Sequence, residues 1–227
     1  MDPDDLLKII IGLVAVIVGW LLSQATITVR GWFQRRKIAR LLLEELRDID
    51  RETVRLLYLH ARNLQLHGAQ GVGDHAAVGI SNPIFSNYYK DVLLHLNQNQ
   101  RISYQLVHKL VDAQNEILSD LQTVSVETHK EHRANGMSKE FLRGAERLGE
   151  LSKHGYSNCA IIKWHIDFHL KNKANPDLSP ETKDHEAYLI YLESVVQEMN
   201  RTIETGRTVS REDFEKIYNP QHFGART

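Results

Sequence analysis

The chain has 227 residues, with 28 Lys plus Arg, 29 Asp plus Glu, 12 His and one Cys, for a formal charge of −1 at pH 7. A near-neutral balance excludes a strong global field for nucleic acid or for an acidic substrate. The lone Cys159 excludes an intramolecular disulfide framework and a CxxC zinc site.

The charge is unevenly placed. Residues 1–29 hold three acids and one lysine, net −2, which leaves +1 for the rest. From Ile9 to Val29 there are 21 positions without a charge, IIIGLVAVIVGWLLSQATITV. A helix of that length spans about 30 Å, the thickness of a bilayer hydrocarbon core. A cleaved signal peptide and a buried core helix compete with a membrane span. Ser23-Gln24-Ala25 resembles a signal-peptidase site, but Asp2, Asp4 and Asp5 stand where a signal peptide carries positive charge. A buried core helix seldom holds so long an uncharged run. A transmembrane helix fits best.

The flanks set an orientation. Arg30, Arg35, Arg36, Lys37 and Arg40 follow the run, and no acid appears until Glu44. Basic flanks stay in the cytoplasm, so the N-terminus is expected outside and the remainder inside a plasma (bacterial inner) membrane. Trp20 lies within the run, and Trp32 with Phe33 sits where an interfacial aromatic belt is expected. The basic residues also suit anionic headgroups.

Between Arg35 and His67 there is no Gly or Pro, and Ile38, Leu42, Leu46, Ile49, Thr53, Leu56, His60 and Leu64 recur at steps of three and four. This is one face of a long helix. Glu44, Glu45, Asp48, Asp50 and Glu52 interleave with Arg47, Arg51 and Arg55, which predicts ion pairs on a wet side. Only Gly31 divides this helix from the apolar run, so the two are expected to form one nearly continuous rod. Gly68, Gly71, Gly73 and Gly79 then predict a flexible loop to about residue 82. Asn82-Pro83 reads as N-cap and first helical position of a helix to about Leu96. A second long helix follows, with Ile102, Leu106, Leu110, Ala113, Ile117, Leu121 and Val124 as its stripe. Ser138 caps a helix that Gly155 interrupts, and Ala160, Ile161, Trp164 and Phe168 carry a helix to about Asn172. Ser179-Pro180 restarts a helix that Gly206 ends. Ser210-Arg211-Glu212-Asp213 opens a short last one.

The fold class is all-α: a single N-terminal transmembrane helix followed by an antiparallel helical bundle. The segments are an anchor (1–29), a basic juxtamembrane stretch with a long amphipathic helix (30–67), a Gly-rich loop (68–82), the rest of the bundle (83–218) and a tail (219–227).

Candidate chemistry is sparse. His165 and His169 stand at i and i+4, a spacing that can hold a metal at the edge of the core. Ile166 replaces the glutamate of an HExxH protease site. His129 and His132 form an i,i+3 pair near a helix end, where imidazoles suit the dipole. Cys159 beside Ala160 and Ile161 reads as a buried thiol. The segment Arg62-Asn63-Leu64-Gln65-Leu66-His67 resembles the arginine–histidine motif of HEPN-type ribonucleases, which places the two residues at a dimer cleft. That resemblance implies an RNase with Arg62 and His67 as its site. GxxxxGK[ST], GxGxxG and GxSxG are all missing from the sequence.

The function expected from these residues is a membrane-anchored cytoplasmic module without enzymatic activity: a scaffold, a sensor or a subunit of a membrane assembly. Its partners are the bilayer and a second copy or another protein, with the Ile38–Leu64 stripe as a coiled-coil seam. No cofactor and no nucleic acid are expected. The alternative is a tethered metal-binding or RNase bundle.

Overall fold

The computed structural model describes residues 3–73 and 78–208, with side chains from Gly12 onward. The short helix at Ser210 and the tail lie outside the described residues. All regular structure among the described residues is helical: α1 (Pro3–Gly68), α2 (Pro83–Val92) with a 3₁₀ turn (Leu93–His95), α3 (Gln98–Asn135), α4 (Lys139–Asn172) and α5 (Lys183–Thr208).

Helix α1 is unbroken through Gly31 and is about 99 Å long at 1.5 Å per residue. From Gly12 to Lys37 its side chains are exposed, save the half-buried Gly31. Packing starts at Ile38. Leu42, Ile49, Leu56, His60 and Leu64 then have no exposed surface at all. The stripe therefore packs inside its own bundle, and no seam is left on that face for a second chain. Expected i,i+3 pairs form on the wet side at Arg47–Glu44, Arg51–Asp48 and Arg55–Glu52. Such exposed pairs contribute little.

Successive helices alternate in direction. The chain turns back after Gly68 and runs up beside α1, so that α2 starts at the level of Glu45 and ends near Ala39. Helix α3 descends, α4 ascends and α5 descends. Helix α4 is central, packing on α1, α3 and α5. The described residues of the Gly-rich segment are fastened rather than loose. Arg55 donates to the carbonyl of Val78 at 2.7 Å, the Asn115 amide bonds both backbone groups of Ile80, and Ser125 donates to the carbonyl of Gly73.

Glycine serves helix crossings here. Helix α4 runs straight through Gly155, which is buried and lies against the imidazole of His60, while Gly149 lies against that of His67. These gaps let two large α1 side chains sit on a helix face that would otherwise hold them off. Gly206 does not end α5 but crosses α1, where a Cβ would collide with the carbonyl oxygen of Gln65; Gly68 meets Ile203 in the same way. The start of α5 also differs. Ser179-Pro180 forms a turn, and Thr182 accepts from the amide of His185 as the cap of a helix that begins at Lys183.

Over residues 102–118 helix α3 presents a face one residue on from the expected one, whereas Leu121 and Val124 are buried as expected. Tyr104, Val107, Val111, Gln114, Leu118, Leu121 and Val124 are buried, while Ile102 is exposed. The reason is chemical. Ser103, His108, Gln114, Ser125 and Thr128 are buried on this face, so a count of apolar residues alone misplaces it.

Candidate functional site

The end of the molecule that carries the apolar rod is built from α1 and the α2–α3 turn. Between Gly12 and Val29 the exposed side chains are almost wholly apolar, and none of this span is covered by the bundle. It is long and apolar enough to cross a membrane. Its threonine hydroxyls are satisfied internally, since Thr26 donates to the carbonyl of Leu22 at 2.8 Å and Thr28 to that of Gln24 at 2.9 Å. Those donors therefore need no water. Trp20 lies within this apolar sleeve and is itself exposed.

Below the span the collar begins. Trp32 meets Phe33 edge-on, and the guanidinium of Arg36 lies 5.0 Å from the Trp32 ring centre. Arg30, Arg35, Lys37 and Arg40 are exposed around the same turns of helix. Trp32, Arg35, Arg36 and Ala39 share a groove with Val92, His95 and Leu96.

The histidine pair is not at the core's edge. His165 and His169 are buried, because two neighbouring helices close over them. His169 Nδ1 lies 2.8 Å from the Ser103 hydroxyl, with the Tyr104 ring set edge-on to the imidazole. His165 sits between Trp164 and Tyr188 of α5. Each keeps one ring nitrogen without a hydrogen-bond partner, Nδ1 of His165 and Nε2 of His169. Among the described residues no group of three His, Cys, Asp or Glu is placed to hold a metal ion. Burial pushes both imidazoles down to about 4, so both are neutral at pH 7.

Arg62 and His67 do not share a face of α1. Five residues on a straight helix separate them by about 140°. Arg62 is exposed, whereas His67 is half-buried against Gly149. Cys159 is fully buried, and burial pushes its thiol far above the usual range. His129 faces the carbonyl of Gly73, and His132 packs on Phe141.

One polar cluster is not legible in the sequence. Glu45 is buried rather than on the wet side. Its two carboxylate oxygens accept from the amides of Ile84 at 2.6 Å and Phe85 at 2.9 Å. It thereby caps α2 from another helix, while Asn82 makes no side-chain cap. Phe85 stacks on His108 with ring centres 3.7 Å apart. Asn82 Nδ2 lies 3.2 Å from His108 Nδ1, which assigns the proton to Nε2, facing Glu45 at 3.8 Å. Burial pushes His108 down to about 3 and raises Glu45, so this approach is no ion pair at neutral pH. A second buried relay joins three helices: Asn158 donates to Gln114 at 3.1 Å, and Gln114 meets His60 at 2.8 Å. Glu45, His108, His60, Gln114 and Asn158 line none of the five main grooves among the described residues, and buried polar contacts of this kind favour a single helix register.

No family model matches the chain, and neither a curated protein nor a solved structure matches it.

Proposed function

We propose that this chain is a single-pass membrane-anchored module, with its N-terminus outside and its bundle held at the cytoplasmic face of a bacterial inner membrane. The observation that carries the reading is the apolar rod from Gly12 to Val29, which nothing in the bundle covers. A patch of that size in water is unfavourable by about 25 cal/mol per Å² of apolar surface. Its length matches a hydrocarbon core, and the Arg30–Arg40 collar, free of acids, favours the inside.

The role is that of a scaffold, sensor or assembly subunit. Anchoring confines the bundle to one leaflet and raises its effective concentration for partners there. With the Ile38–Leu64 stripe buried, partners must meet the outer faces of the bundle. One such face is α5, where Leu189, Ile190 and Val196 are exposed.

The test uses cysteine labelling in intact cells. Cys159 is buried and stays silent. Asp2→Cys is expected to react with a membrane-impermeant maleimide from outside, and Val126→Cys only after lysis. The opposite pattern overturns the orientation, and release of the protein by alkaline carbonate overturns the anchor. Crosslinking in native membranes then reads the partners. A protein that stays monomeric and captures nothing is not a scaffold or subunit.

A further inference from the structure

On the anchor reading, the α2–α3 turn stands at the depth of the headgroups. Val29 is the last residue of the uncharged run, and Trp32 lies about 4.5 Å further along the axis. His95 and Leu96 line one groove with Trp32, so the turn reaches the level where hydrocarbon gives way to headgroup. Helix α2 climbs towards that level and α3 leaves it, which makes the turn the membrane-side extremity of this hairpin. At its tip Leu94 is 86% exposed, more than any other large apolar side chain among the described residues.

The turn is held firmly. Arg101 donates to the carbonyls of Leu93 and Leu96 at 3.4 Å each, and Tyr89 donates to the carbonyl of Arg101 at 3.3 Å. An exposed leucine on a fixed turn is not a frayed end. The charge at this groove is positive: Arg35 and Arg36 line it, while Lys90 and Asp91 at the end of α2 offset each other. The loop that closes the same end between α4 and α5 differs, since Asp177 and Glu181 offset Lys171 and Lys173. Among the described residues at this end, the leucine-tipped α2–α3 side is thus the cationic one.

We propose that this turn is a second membrane contact. Leu94 enters the boundary between acyl chains and headgroups of an anionic leaflet, while Arg35 and Arg36 meet the lipid phosphates. This inference rests on the anchor reading above. Charge complementarity and continuity with the span select lipid over a second chain as the occupant. The consequence is orientational: two contacts fix the tilt of the bundle, so that α5 always faces the same way relative to the membrane.

The full chain in nanodiscs tests it. A fluorophore on Leu94→Cys is read against the same label on Val126→Cys at the far end, with Val16→Cys reporting the span. With phosphatidylglycerol-rich discs, a headgroup-level lipid quencher is expected to act on position 94 roughly threefold more than on position 126, and less so in pure phosphatidylcholine. Aqueous iodide quenching 94 and 126 alike in both lipids overturns the inference. So does a label at 94 that is shielded from both quenchers and changes with the number of copies per disc, which identifies a second chain as the occupant. If Val16→Cys escapes an acyl-chain quencher, the anchor reading itself fails; if only position 94 escapes, the anchor stands alone.

Discussion

Helix α1 is one continuous element in two settings, uncovered over its first half and packed over its second. Above Ile38 its leucines and valines are exposed, and Leu22 retains 64% of its surface; below it, Leu46 retains 1%. The same residue types stand uncovered in one half and inside a packed core in the other. What separates the halves is the placement of polar residues. The upper half has its charges only at the ends. The lower half carries charges along one side and buries several polar groups on the other. The halves should therefore respond differently to acid, truncation and crowding.

Acid should divide them most. His108 is pushed down to about 3 and His165 and His169 to about 4, against 6.5 for a free imidazole. Lowered folded values mean that the unfolded chain binds protons first. Stability is therefore complete above about pH 7 and lost as pH falls below 6.5. Each histidine costs about 2 kcal/mol between pH 7 and 5. Glu45 works in the opposite direction, since its raised value favours the protonated folded state, and it offsets part of the loss. Melts of the full chain in detergent should show a Tm that drops steeply over this range. The apolar rod has no titrating group from Gly12 to Val29, so the proposed membrane association should not change. A flat Tm from pH 7 to 5 would falsify the neutral buried imidazoles.

Truncation comes next. Leu46→Ala should destabilise the bundle by about 2–5 kcal/mol, as expected where a fully buried leucine leaves a cavity. Leu22→Ala should leave the melt unchanged, because its side chain touches no part of the bundle. Equal effects of the two would erase the distinction between the halves.

Crowding is a finer probe. Gly206→Ala sets a methyl group against the Gln65 backbone, which cannot swing aside as a side chain does. A loss of about 1–3 kcal/mol is expected. Gly19→Ala meets nothing within 4 Å and should be silent in the same melt. If Gly206→Ala is also silent, the close crossing of α1 and α5 is wrong.

These contrasts track what the residues alone reveal. The span, the continuity of α1 and the Ile38–Leu64 face are legible because an uncharged run and a regular apolar step each have few structural solutions. The anchoring and its direction stay a proposal, carried by hydropathy and by the collar. The first half of the α3 face is misplaced by periodicity because Ser103, His108 and Gln114 occupy core positions and a polar residue carries no periodic signal, while its Leu121 and Val124 end is legible. Glu45 is hidden among solvated neighbours, Glu44 and Asp48, so it looks like one more charge on a wet side. Gly155 and Gly206 look like stops, the commoner use of glycine, when their value here is the absence of a Cβ at a helix crossing. His165 and His169 have the right spacing for a metal, but spacing on one helix says nothing of the α3 and α5 residues that close over them.

Glu45 supplies the smallest and most specific test. Its carboxylate accepts two amide hydrogens at the start of α2, an arrangement a carboxamide cannot copy. In Glu45→Gln one oxygen can serve Ile84 or Phe85, while the amino group turns a donor towards the other. The expected loss is about 1–2 kcal/mol from one unsatisfied buried donor. It should be local: amide exchange at Ile84 and Phe85 should accelerate more than at Ile49 or Leu56 in α1. The acid response should change as well. With the carboxyl gone its opposing contribution vanishes, so Tm should fall more steeply with pH in the variant than in the parent. Unchanged exchange at both amides, or a shallower acid response, would show that α2 is capped by something other than this buried carboxylate.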